Sequence, residues 1–160
     1  MAIEYHFAAS PVMSDTEALG YFAGLLGCDD RRTDTFAVGP VVQIDTDTDT
    51  AEEYPHTAEV LGGIPEFLSV TFRQAKDLGD RGDASAFGDM LTAVVRFFED
   101  FPDAKGTFAF NFETILVQRL GDAGVVLDRR LLEPDGYNRH GTLDDLLAKY
   151  PVREIDQVFR

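Results

Sequence analysis

Three aspartates alternate with threonine in the run Asp45-Thr46-Asp47-Thr48-Asp49, and Glu52 and Glu53 follow closely. Carboxylates at positions one, three and five are how a calcium-binding EF-hand loop begins. The rest of that pattern does not follow. The sixth position is Thr50, where the sharp turn needs glycine, and the twelfth is His56, where a bidentate glutamate would close the shell. Such a row of acids reads instead as a solvated face, or as an acidic patch that docks a basic partner. Asp45, Asp47, Asp49, Glu52 and Glu53 are therefore the candidate partner-binding residues, and no metal or other cofactor is expected.

The other groups capable of chemistry are dispersed. His6, His56 and His140 lie far apart and in no metal-ligating motif, so each reads as a surface histidine. The single Cys28 excludes an internal disulfide, and Asp29 and Asp30 beside it would raise its thiol pKa and blunt its nucleophilicity. The Gly-x-Ser-x-Gly elbow, the phosphate-cradling Gly-x-x-x-x-Gly-Lys-Ser/Thr loop and Gly-x-Gly-x-x-Gly are all absent. Neighbouring acids such as Glu52/Glu53 and Asp144/Asp145 diverge in direction on an exposed segment. No catalytic residue is assigned. The alternative is a small-ligand or metal-dependent enzyme that uses the acidic segment.

The elements that must position these groups are legible in part. Ile3, Tyr5 and Phe7 alternate with Glu4 and His6 as in a half-buried strand, and this N-terminus reads as a strand and not a signal peptide. Ser14 and Glu17 form a Ser-x-x-Glu capping box ahead of a helix whose apolar face is Leu19, Phe22, Ala23 and Leu26, with Gly27 as its left-handed stop. Phe36 to Ile44 gives two short strand pieces around Gly39-Pro40. Asp45 to Glu66 is acidic and punctuated by Pro55, Gly62, Gly63 and Pro65, and reads as a long loop. Leu68, Val70 and Phe72 should face the core from a strand over 67–73.

A Gly/Asp-rich loop at 79–83 then leads into the strongest helix, with Phe87, Met90, Leu91, Val94, Val95, Phe98 and Phe101 at helical spacing; this stripe is packing, not a cofactor box. Paired strands over 107–112 and 114–120 place Phe108, Phe110 and Phe112 on one face, and a further strand covers 125–128. Thr142 can cap a short last helix carrying Leu143, Leu146, Leu147 and Tyr150, and Ile155, Val158 and Phe159 can dock back. The expected architecture is a single α+β domain over residues 1–160. It has two layers, a mainly antiparallel sheet of five to six strands packed by two main helices, with a short C-terminal helix.

The charge narrows the partners. Fourteen basic residues against 29 acidic give a net −15, which disfavours a nucleic-acid backbone or an anionic bilayer. Residues 1–66 hold 13 acidic and 2 basic side chains, so the N-terminal part carries the field. No window approaches the length of a membrane-spanning apolar run, and cytoplasmic location is the default. High net charge also serves solubility alone, as in a generic protein-interaction module.

The segment FLSVTFR, a loop, a long helix and then FAFNFETILVQRLGDAGVVLD, together with the opening MAIEY, resembles the immunity proteins of the swarming-inhibition toxin systems, a bacterial contact-dependent toxin and immunity family. The resemblance covers the first strand and about residues 67–128; the acidic stretch and the tail after Arg130 have no counterpart in it. In that family the hairpin turn commonly reads Asn-Gly-Glu. Here Asn111 and Glu113 match while Phe112 replaces the glycine, which predicts a shifted or reshaped turn. The resemblance implies a non-catalytic protein that binds and neutralises a cognate toxin inside the producing cell. Acidity suits a basic toxin, a nuclease being one such class.

Overall fold

A computed structural model describes residues 3–157. Strand β1 (Glu4–Ala9) leads into helix α1 (Asp15–Leu26), followed by strands β2 (Asp30–Thr33), β3 (Phe36–Val38) and β4 (Val42–Thr50). Helix α2 (Pro55–Val60), strand β5 (Glu66–Gln74) and helix α3 (Gly79–Asp100) come next. Strands β6 (Gly106–Phe110), β7 (Thr114–Arg119) and β8 (Val126–Asp128), helix α4 (Asp144–Lys149) and strand β9 (Val152–Arg153) complete the order. One mixed sheet runs β2-β3-β4-β5-β1-β6-β7-β8-β9. All its pairings are antiparallel except β8 with β9.

The class is α+β as expected, but among the described residues the sheet has nine strands against the expected five to six, with four α-helices. The added strands lack a burial signature: β2 is Asp-Arg-Arg-Thr, exposed throughout, and β9 is two residues long. The 45–66 stretch is not a loop. Strand β4 runs through the acids to Thr50, and Pro55 opens α2 at a first-turn position, where its missing N–H costs nothing and its φ suits the helix. Helix α3 absorbs the predicted 79–83 loop.

Local chemistry explains the elements that position the sheet. Ser14 Oγ accepts from the Glu17 backbone N–H at 3.0 Å, and Glu17 Oε1 accepts from the Ser14 N–H at 3.3 Å, which completes the capping box of α1. Gly27 ends that helix in the left-handed region, φ 69°. Helices α1 and α3 cover one face, where Phe7, Phe22, Phe72, Phe97, Phe98 and Phe108 are fully buried. Phe7 meets Phe97 and Phe98 edge to face with centroids 5.1 and 5.5 Å apart, the arrangement that aromatic quadrupoles favour. Leu68, Val70 and Phe72 face this core as predicted. Thr142 does not cap α4: its hydroxyl donates to the Arg139 carbonyl, and Leu143 holds the N-cap position. Ile155 does dock, packing with Ala109, Ile115 and Val126, while Val158 and Phe159 lie outside the described residues.

The opposite face is covered only in part. Phe67, Ala8, Ala58 and Leu61 form a small cluster under α2 at one side, and the Ile155 cluster occupies another. Between them the sheet is left open.

Candidate functional site

Strand alternation decides what lies in that opening. Along β4, Val42, Ile44 and Thr46 turn to the helices and are buried, so Asp45, Asp47 and Asp49 point to the other side. Register then sets their neighbours. Asp45 pairs with Thr71, Asp47 with Ser69 and Asp49 with Phe67 on β5. Thr71 is opposite His6 and Ser69 opposite Ala8 on β1, and these face Ala109 and Thr107 on β6. The result is a groove of about 320 Å³ whose walls include Asp45, Asp47, Asp49, His6, Tyr54 and Phe112.

Of the five predicted partner-binding residues, the fold brings together the three aspartates. Glu52 and Glu53 sit in the turn after β4 and do not line the groove. Glu53 closes that turn by accepting from the Thr50 hydroxyl at 3.2 Å, and its charge still reaches Asp49. The alternating aspartates stand about 6.8 Å apart along the strand, so they form a row instead of converging on a point. Among the described residues no group of three or more His, Cys, Asp or Glu is placed to hold a metal ion.

The row is electrostatically uncompensated. No ion pair among the described residues involves Asp45, Asp47 or Asp49. Partial burial, then the neighbouring Asp47, push the Asp45 carboxyl above its usual range. Asp49 is raised first by burial and further by Asp47 and Glu53, against a hydrogen bond from Ser69. Arg73, one residue row away, is already held by Glu4 at 2.6 Å.

His6 is not the surface histidine that its sequence suggests. Its Nε2 lies 3.3 Å from Ser69 Oγ and its Nδ1 3.5 Å from Thr71 Oγ1, and burial lowers its pKa to about 4, leaving the imidazole neutral near pH 7. The Ser69 hydroxyl is shared between His6 and the Asp49 carboxylate, which it also hydrogen-bonds. Cys28 is buried, and burial, then Asp29, pushes its thiol up to about 11.

Phe112 closes the groove beyond His6. Asn111 and Phe112 both adopt left-handed backbone, φ 53° and 60°, the region glycine normally fills, and the β6–β7 ladder shifts register between Phe108 and Ala109. The Phe112 ring stacks on His6 with centroids 4.5 Å apart. Neither residue was singled out by the sequence as a site residue, since His6 lies on β1 and Phe112 in the turn after β6, and only the β1–β6 pairing brings them together.

A family model described as SitI3-like matches residues 3–138. The match spans the acidic strand and α2, beyond the segments whose resemblance is visible by eye. Neither the curated proteins nor the solved structures gave a match.

Proposed function

Since the chain belongs to the SitI3-like family, we propose that it is an immunity protein that binds and neutralises a cognate bacterial toxin through the open face of its sheet. The observation that carries the reading is the row Asp45, Asp47 and Asp49, raised on an uncovered face without a countercharge. A basic toxin surface supplies that countercharge. Complementary fields of this kind speed association and fix register more than they add affinity. For a nuclease-type toxin, the carboxylate row would stand in the basic cleft in place of substrate phosphates. Glu52 and Glu53 extend the acidic edge and contribute to the approach of the partner. The family suggests a non-enzymatic role.

Calorimetry with the inactivated toxin product of the neighbouring reading frame tests this at low and moderate salt. Tight binding that weakens as salt rises is expected, and D45N/D47N/D49N should flatten the salt dependence and weaken binding by roughly tenfold or more. If that triple variant binds with unchanged affinity and salt dependence, the toxin contacts lie elsewhere.

A further inference from the structure

Phe112 occupies a position that neither burial nor backbone preference explains. Its side chain is 51% exposed, so the core does not hold it. Its φ of 60° follows another left-handed residue, Asn111, in a turn whose second position is cheapest for glycine. A bulky ring is strained there. The ring lies at the groove's end on the neutral His6 imidazole, inclined by 30°. An aromatic side chain kept half in water against its backbone preference, on the rim of a concave site, is arranged for a contact outside the chain.

The groove specifies that contact. Its walls carry three carboxylates and no lysine or arginine, and Arg73 nearby is engaged by Glu4. A cation from the partner completes the set. A guanidinium suits it better than an ammonium, because its plane stacks on an aromatic face while its five N–H donors reach flanking carboxylates. We infer that Phe112 is the specificity-determining residue of this face: its ring receives the guanidinium of an arginine presented by the toxin, with Asp45, Asp47 and Asp49 as counter-charges. This rests on the toxin-binding reading and assigns its recognition chemistry.

The test is calorimetry and thermal unfolding of the wild type, F112G, F112L and F112Y with the inactivated toxin of the neighbouring reading frame. F112G restores the preferred Asn-Gly turn, so its Tm should rise while its affinity falls by about tenfold or more. F112L keeps apolar bulk and loses the π face, and should also bind about tenfold more weakly, whereas F112Y should stay within about threefold. In double-mutant cycles, one toxin arginine replaced by alanine should abolish the difference between wild type and F112L. If F112G and F112L bind like the wild type, or if no toxin arginine couples to Phe112, the inference is overturned while toxin binding stands. If the wild type does not bind, both fall.

Discussion

The guanidinium of Arg119 on β7 lies over the ring of Phe98, 4.7 Å from its centroid, and closes the C-terminal end of α3. It donates to the carbonyls of Phe98 at 2.8 Å and Ala104 at 2.7 Å, and to that of Phe101. The last carbonyls of a helix have no partner within it; here one planar cation takes up that of Phe98, with those of the C-cap residue Phe101 and of Ala104 in the loop beyond. R119A should destabilise the protein by about 3 kcal/mol, because several carbonyls lose a charged donor together. R119K should recover only part of that, since an ammonium cannot match the fork. Urea unfolding of the two variants measures both values, and a loss well under 1 kcal/mol in R119A would remove Arg119 from this role.

His6 makes stability depend on pH. Its folded pKa of about 4 lies below the 6.5 of a free histidine, so between those values the unfolded chain binds a proton that the folded one refuses. Stability is therefore whole above pH 6.5 and declines as pH falls toward 4, by up to roughly 2–3 kcal/mol from this group. H6Q should remove that share of the decline. Urea unfolding of wild type and H6Q at pH 7.5 and 4.5 isolates it, and equal pH dependence in the two proteins would contradict it.

Asp45 and Asp49 act with the opposite sign. Their folded pKa values are raised, so above the ordinary carboxylate range the folded state carries charge that it disfavours, and stability falls as pH rises through the raised values. Asp45 is exposed and Asp49 half-buried, so solvent screens much of the effect. D45N/D49N should have a Tm at pH 7 higher by roughly 2 °C, and this gain should shrink as pH falls through the ordinary carboxylate range, where the wild-type carboxyls take up protons. A lower Tm for the variant at pH 7 would mean that the carboxylates support the fold. The groove would then be stabilised by the same residues proposed to bind.

The join between α1 and β3 is tight. A methyl on Gly39 would stand 2.8 Å from Cys28 Sγ, 3.1 Å from Cys28 Cα and 3.2 Å from the Gly27 carbonyl. Two of those contacts are backbone and cannot yield, so G39A should cost roughly 1–3 kcal/mol. A smaller cost in a thermal or urea titration would show that the β3–β4 turn moves freely from the helix.

Helix α1 was legible from Ser14, Glu17 and Gly27, because each cap acts through atoms within a few residues. The core faces of β5 and α3 were legible from periodicity. The acidic strand was not, although its alternation continues the frame of Val42 and Ile44 into Thr46. Aspartate is depleted in strands, and composition outweighed a pattern that only the pairing with β5 makes decisive. The three aspartates were found as candidates from their charge, whereas His6 and Phe112 entered the site through tertiary pairing. The hydrogen bond from the Asn111 N–H to the Glu4 carbonyl, 2.9 Å, fixes that approach, and no local rule foretells it. Strands β2 and β9 escaped because they bury almost nothing.

The alternation of strands β1, β4, β5 and β6 gives the two sides of the sheet separate evolutionary fates. Residues such as Phe7, Ile44, Phe72 and Phe108 are locked by mutual packing, while Asp45, Asp47 and Asp49 stand on the side away from that core. Substitutions on the outward side therefore leave the packing of the aromatic core in place, so the two sides of one sheet can change at different rates.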